Sequence, residues 1–219
     1  MKLLMLLLLL FAMSAHASTC DNGLKQSPID ITQSTRQKLP PLQFDYPTAP
    51  LKLANDGHTV RVRFDRGQLR IGPQRYTLLQ FHFHTPGGDR IAGEDFPMAA
   101  HLLHKSASGQ LLVVVVLFRL GAENPLLSTL LPLIPAHAGE ATPLAGNMID
   151  VNRLLPRQKG YYRYQGSLTA PPCTEGVDWI VLKEPLTLSA AQLARYRALF
   201  ADNARAVQPL NGRTVLESF

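Results

Sequence analysis

Histidines at positions 82, 84 and 101 constrain the fold of this chain more than any other feature. In residues 81–84, phenylalanine and histidine alternate. Residues two apart in a β-strand point to the same face, so His82 and His84 would aim their imidazoles at one point while the two phenylalanines enter a core. His101 lies in an apolar stretch, residues 98–104, that follows a glycine-containing turn. This pattern predicts two neighbouring strands that bring three imidazoles together.

Three converging imidazole nitrogens are typical of a catalytic zinc centre, whose fourth position stays open. Alternating histidines on a strand are, by themselves, more often structural or surface residues than metal ligands. The rest of the chain must therefore decide between these interpretations. Two other histidines are not expected at the site: His104 is three residues from His101 and should face away, and His137 lies in a loop rich in proline and alanine.

Apolar periodicity predicts a mainly β fold. Residues 60–64 and 69–71 alternate around an Asp-Arg-Gly turn and predict a β-hairpin. The valine-rich run 111–118 predicts a central strand buried on both faces, and residues 177–182 predict another strand. One clear helix should begin at Ser189, whose spacing to Gln192 is that of a capping box. We therefore expect a large, twisted, predominantly antiparallel sheet with short peripheral helices.

The first residues predict export. Residues 1–17 combine a basic start, an apolar run too short to span a bilayer, and small residues at positions 15 and 17, as in a signal peptide. Residues 18–219 would then form one domain in the periplasm or outside the cell, with no membrane attachment after cleavage. In that oxidising setting we expect a disulfide between Cys20 and Cys173, the two cysteines of the chain; two separate buried thiols are the alternative.

The formal charge of +6 indicates a basic surface. Arginines cluster on the polar side of the predicted hairpin, at Arg61, Arg63, Arg66 and Arg70. The simplest interpretation is a solvated strand face. Aromatic residues do not interleave with the arginines, so the pattern is not typical of nucleic-acid binding and no nucleic-acid partner is expected.

Seven segments occur in the order in which the α-class carbonic anhydrases carry them. They are residues 26–31, 55–60, 80–84, 101–104, 166–173, 179–183 and 207–213. Each segment is modest in isolation, but the ordered set makes nearly all of the mature chain resemble this family. The resemblance implies a twisted, mainly antiparallel sheet, with zinc at the base of a conical cleft and reversible hydration of carbon dioxide to bicarbonate.

The resemblance also implies residue roles. His82, His84 and His101 would hold Zn²⁺ as neutral ligands. Thr169 matches the residue that orients the attacking hydroxide, and His58 matches the proton shuttle, a role suited to an imidazole with a pKa near 6.5. The apolar wall that receives carbon dioxide would comprise Leu103, Val113, Leu168, Ala170, Val177 and Trp179.

Around the three histidines, the chain has some of the supporting residues that the family carries and lacks others. Gln80 matches the glutamine that fixes the ring of His82, and Asn211 matches a position that supports His84 through its backbone. Gly88, however, stands where the family usually has a glutamate that accepts the proton of the threonine.

Ala99 stands where the family usually has a glutamate that accepts the N–H of the third ligand. Asp89, beside Gly88, is not expected to compensate. Loss of such a partner typically costs 10- to 100-fold in metal affinity or activity, so we expect a reduced rate.

Three hypotheses follow. The first is a zinc enzyme acting on a small molecule, carbon dioxide or bicarbonate, as a monomer or homodimer; it is favoured because all three ligands are present. The second is a catalytically weakened zinc-binding or adhesive protein that contacts a polyanion through its basic surface. The third, a structural β-domain without metal, is disfavoured by the intact ligand set.

Overall fold

The computed structural model describes residue 20, residues 23–139 and residues 142–219. The predicted signal peptide, residues 1–17, lies outside these residues. The strands of the described part are β1 (Asp30–Ile31), β2 (Thr35–Arg36), β3 (Leu42–Asp45), β4 (Ala49–Asn55), β5 (Val60–Arg63), β6 (Gln68–Ile71), β7 (Gln74–His84), β8 (Arg90–Ile91), β9 (Met98–Ser106), β10 (Leu111–Leu120), β11 (Thr142–Ile149), β12 (Tyr161–Ser167), β13 (Glu175–Leu182), β14 (Leu186–Leu188) and β15 (Leu216–Glu217). The helices are α1 (Pro125–Leu130), α2 (Ala190–Phe200) and two 3₁₀ turns, Leu131–Leu133 and Val151–Leu154.

One sheet of 13 strands dominates the fold. Its main path runs β11-β4-β5-β7-β9-β10-β13-β12-β15-β2, while β3, β6 and β14 pair beside this path. Most neighbours are antiparallel, but β10 pairs with β13 and β14 in parallel. The predicted mainly β fold with a predominantly antiparallel sheet and short peripheral helices is confirmed.

Strand β10 separates two apolar clusters. Its even-numbered residues from Leu112 to Phe118 face the larger cluster, and its odd-numbered residues from Val113 to Leu117 face the smaller one. A strand covered on both faces needs no polar alternation, which is why its sequence is a continuous apolar run. The predicted central strand is confirmed.

The predicted hairpin of residues 60–71 is wrong. Strands β5 and β6 do not pair with each other; both lie antiparallel along the same side of β7. Between them the chain keeps contact with β7, since the backbone N–H of Phe64 donates to Leu79 O and that of Leu78 to Gly67 O. The Asp-Arg-Gly segment therefore forms a bulge between β5 and β6 and does not reverse the direction of the chain. Both strands can pair with β7 because β7 is 11 residues long.

Helix α2 begins as predicted. Gln192 N donates to the Ser189 hydroxyl at 3.2 Å and Ser189 N donates to Gln192 Oε1 at 3.1 Å, which completes a capping box. Tyr196 on the buried face donates its hydroxyl to Phe83 O at 3.0 Å. The helix is thereby fixed against the end of β7 that carries the histidines.

A disulfide joins Cys20 and Cys173 across 153 residues of sequence. Closing so long a loop restricts the unfolded chain and stabilises the fold by about 4–5 kcal/mol in the chain-entropy account. In the part of the chain that the structure describes, no helix combines the length and apolar character needed to cross a membrane.

Candidate metal centre

Strand register builds the three-histidine cluster. His82 on β7 and His101 on β9 are direct partners, and His84 lies two residues further along β7. Directly paired residues share a face of the sheet, so all three rings project to the same side. One ring nitrogen from each residue lies within 4.8 Å of the other two, and the Nε2 atoms of His82 and His84 are 3.1 Å apart.

The donor set fits a zinc ion. In a tetrahedral site with Zn–N distances of about 2.0–2.1 Å, the ligand nitrogens lie roughly 3.3 Å apart. The pair at 3.1 Å already meets this spacing, and the third ring needs only a small movement to reach it. These residues therefore match the size and geometry of a three-nitrogen zinc centre.

Burial keeps the three imidazoles neutral. It lowers the pKa of His82 and of His101 well below 6.5, and neighbouring histidines lower both values further. The pKa of His84 falls to about 4, again chiefly through burial, although the Asn203 carbonyl opposes this shift. Neutral imidazole is the form that binds a metal, so the site is in the right protonation state near neutral pH.

The opposite face of the same strands is core. Phe81 and Phe83 are fully buried in the larger cluster, as alternation predicted. His104 also lies on that side, with its Nε2 2.6 Å from the Tyr46 hydroxyl. The prediction that His104 faces away from the cluster is confirmed, and His137 is exposed as expected.

Two of the three clustered histidines have hydrogen-bond partners for their other ring nitrogen. Gln80 Oε1 lies 3.0 Å from His82 Nδ1, as the sequence predicted. His84 Nδ1 lies 3.1 Å from the backbone oxygen of Asn203, not of Asn211. The assignment of Asn211 is wrong because Asn211 occupies a turn at φ +50° and donates its side-chain amide to Leu24 O.

Asn203 holds several parts of the site together. Its amide donates to the carbonyls of His58 at 2.9 Å and Phe83 at 3.1 Å, while its Oδ1 accepts from Thr85 N at 2.8 Å. Sequence reasoning missed this residue. Its only local signal is an asparagine shortly after the end of α2.

The third histidine of the cluster lacks an acceptor among the described residues. His101 Nε2 is buried and has no hydrogen-bond partner there. Ala99, two residues earlier on the same face of β9, is fully buried and carries no polar atom in its side chain. The sequence departure at Ala99 is thus matched by an unpaired ring nitrogen.

Gly88 lies in the turn after β7, where the backbone conformation suits glycine and would strain a glutamate. Gly88 adopts φ +86°, which disfavours any L side chain, and an added Cβ would lie 3.3 Å from Pro28 Cγ. Asp89 is buried, and its Oδ1 accepts from Ile29 N at 3.1 Å and from the Tyr164 hydroxyl at 2.9 Å. The direct partners of Asp89 are thus Ile29 and Tyr164, away from Thr169.

A cavity of about 150 Å³ opens over the histidines. Most of the predicted site residues border it. The lining comprises His58, Thr59, Arg61, Gln80, His82, His84, His101, Leu103, Val113, Leu168, Thr169, Ala170 and Trp179. Val177 borders another depression, which shares Leu168 with this cavity, and it is buried in the same apolar cluster as Val113 and Trp179. Its place on this wall stays a prediction.

His58 occupies the mouth of the cavity. Its backbone is anchored by the Asp56 carboxylate and the Asn203 amide, whereas the residue as a whole is exposed. The centre of its ring lies 6.4 Å from that of His84. An imidazole so placed faces both the cluster and solvent.

The fold and the site together define a mainly β protein with a three-histidine group, spaced as metal ligands would be, at the base of a partly apolar cavity. The sequence profile of the eukaryotic-type carbonic anhydrases matches residues 13–219. The chain therefore belongs to this family, the α-class carbonic anhydrases, whose activity is the hydration of carbon dioxide.

Individual relatives agree with this assignment. A carbonic anhydrase of Klebsiella pneumoniae is 44% identical over 210 residues, which cover 94% of this chain and 85% of the relative. The α-carbonic anhydrase of Photobacterium profundum shares the fold with a TM-score of 0.84 at 42% identity, covering 90% of each chain. That of Thermovibrio ammonificans, solved with the inhibitor sulfanilamide, gives a TM-score of 0.84 at 41% identity, covering 89% of this chain and 87% of the other.

Proposed function

We propose that this chain is an exported zinc enzyme that interconverts carbon dioxide and bicarbonate, with His82, His84 and His101 as the ligands. The observation that carries the proposal is the convergence of three neutral imidazoles beneath an open cavity. Zinc bound there would act as a Lewis acid that makes hydroxide available near neutral pH. The long-range disulfide supports export, since such bonds persist in oxidising compartments.

The chain supplies the surroundings of the reaction. Val113 and Trp179, both buried, and the half-buried Leu103 form an apolar wall suited to a nonpolar gas. Thr169 on the cavity surface would accept a hydrogen bond from the attacking hydroxide and orient its lone pair toward carbon dioxide. The family's usual acceptor for the Thr169 proton is replaced by Gly88, so this orientation is weaker and the expected rate is reduced.

His58 would carry the proton produced in each cycle to solvent. Its position at the mouth, one ring away from His84, places it between the cluster and bulk water. Imidazole is the side chain best suited to accept and release a proton at physiological pH.

Stopped-flow carbon dioxide hydration, measured alongside metal content, tests the proposal. We expect one zinc per chain and a rate above buffer, both lost in His82→Ala. His58→Ala should keep its zinc but turn over more slowly in weak buffer, with recovery on addition of imidazole. His137→Ala, which changes an exposed histidine that is not among the residues lining the cavity, is the matched control. Zinc-loaded protein with no rate above buffer would contradict the proposal.

The unpaired His101 Nε2 favours a second candidate, a zinc-binding protein that has lost most hydration activity and binds polyanions through its exposed arginines. Salt-sensitive retention on heparin together with negligible hydration would support it. Retention no stronger than that of a neutral protein of similar size would count against it.

A further inference from the structure

We propose that Arg61 makes the mouth of the cavity a subsite for anionic groups, so that ligands carrying a carboxylate, and bicarbonate itself, bind there in preference to neutral ones. This inference rests on the proposed function. It assigns a role to one of the arginines that the sequence alone placed on a solvated strand face.

The register of the sheet puts Arg61 at the metal site. Arg61 on β5 pairs directly with His82 on β7, and its side chain borders the cavity. Among the described residues that line the cavity, Arg61 is the only one with a permanent charge, and none carries a carboxylate.

Asp56 forms an ion pair with the guanidinium of Arg61. Its Oδ2 lies 2.7 Å from Arg61 Nη2, while its Oδ1 accepts the backbone N–H groups of His58 and Thr59. The 2.7 Å contact lies at one of the three guanidinium nitrogens, and a guanidinium has five N–H donors in one plane. The remaining donors suit a flat oxyanion such as a carboxylate or bicarbonate, which accepts two parallel hydrogen bonds.

Solvent exposure, the apolar cavity wall and Asp56 together determine how strongly Arg61 favours anionic ligands. The Arg61 side chain is 45% exposed, so solvent screens its charge, but the apolar wall of the cavity concentrates the field inside. At a separation of about 6 Å and an effective dielectric constant of about 40, the attraction between unit charges corresponds to roughly a tenfold change in affinity. Asp56 offsets part of this attraction, so its removal should increase the preference.

A matched pair of inhibitors tests the subsite. Benzenesulfonamide with a carboxylate at position 4 is compared with its uncharged 4-carboxamide analogue by calorimetric titration of the zinc-loaded protein at pH 8. The ratio of their dissociation constants is followed across variants, which cancels the intrinsic difference between the two compounds. Binding is read directly, independent of hydration activity.

Arg61→Gln should shift the ratio about tenfold toward the neutral compound. Asp56→Asn should shift it in the opposite direction, because Asn keeps the acceptor for the two backbone N–H groups while removing the opposing charge. Arg63→Gln, an equal change in net charge two residues along the same strand, should leave the ratio within about twofold of the wild-type value.

The outcomes separate the two proposals. If the neutral sulfonamide binds but Arg61→Gln leaves the ratio unchanged, the subsite is refuted while the zinc site stands. If Arg63→Gln shifts the ratio as much as Arg61→Gln, the effect belongs to the overall charge and the subsite is again refuted. If neither compound binds the zinc-loaded protein, the proposed function fails and the subsite fails with it.

Discussion

Asp89 should make the stability of this protein depend on pH near neutrality. Burial raises the pKa of its carboxyl from an ordinary 3.8 to about 7, although the hydrogen bonds from Ile29 N and the Tyr164 hydroxyl work in the opposite direction. Its second oxygen, Oδ2, is buried without a partner among the described residues. The folded protein therefore favours the neutral acid, whereas the unfolded chain favours the carboxylate.

The sign and size of the effect follow from this difference. Because the pKa in the folded state lies above that in the unfolded state, the contribution of Asp89 to stability is complete below pH 3.8 and is lost as the pH rises to about 7. Each pKa unit corresponds to about 1.4 kcal/mol, so the full loss is on the order of 4 kcal/mol. Between pH 5 and pH 7 alone it amounts to roughly 2–3 kcal/mol.

Asp89→Asn isolates this contribution. Asparagine stays neutral and keeps an Oδ1 acceptor for Ile29 and Tyr164, so the difference in unfolding free energy between variant and wild type should grow by about 2–3 kcal/mol from pH 5 to pH 7 and then level off. Urea unfolding at fixed excess zinc, with the disulfide intact, measures it. The exposed Asp95, changed to Asn, is the control and should give a curve parallel to wild type. A parallel curve for Asp89→Asn would refute the reasoning.

Three further predictions test separate features. Burial lowers the pKa of His104 to about 4, so its neutral form stabilises the fold above pH 6.5 and this stability is lost as the pH falls toward 4. In acid unfolding followed by circular dichroism, His104→Gln should therefore lose less stability than wild type as the pH falls. An unchanged acid midpoint would contradict this. Replacing Cys20 and Cys173 together by serine should lower the free energy of unfolding by about 4–5 kcal/mol in denaturant titration, and an unchanged midpoint would show that the crosslink contributes little. Ala99→Glu should supply an acceptor for His101 Nε2 and slow zinc transfer to a chelator about 10- to 100-fold. Ala99→Gln, whose side chain has the same length but no charge, should slow the transfer less. Equal rates for both variants would argue against a role for the carboxylate.

The sequence predicted the elements whose patterns are set by burial. Alternation at residues 81–84 indicated which face of β7 holds the histidines, and the valine run indicated that β10 is covered on both sides. The start of α2 was predictable because a capping box is a local interaction. The disulfide between Cys20 and Cys173 could be predicted from the expectation of an oxidising compartment alone.

Long-range pairing was harder to predict. Residues 60–71 have the local pattern of a hairpin, yet both halves pair with β7, a choice made by a strand that follows them in the chain. Asn203 supports His84 through a carbonyl, which carries no signature in the side chain, so the resemblance pointed to Asn211 instead. Arg61 looks like any solvated strand residue until the register sets it beside His82.

Metal binding at this site would require the correct register between β7 and β9. A slip of one residue between these strands would turn His101 toward the apolar interior while His82 and His84 stayed in place, and the ion would lose its third ligand. By the proposed function, zinc would therefore bind tightly only to chains whose strands are correctly aligned. Metal uptake would then favour proper assembly over misaligned competitors during maturation, in addition to enabling chemistry afterwards.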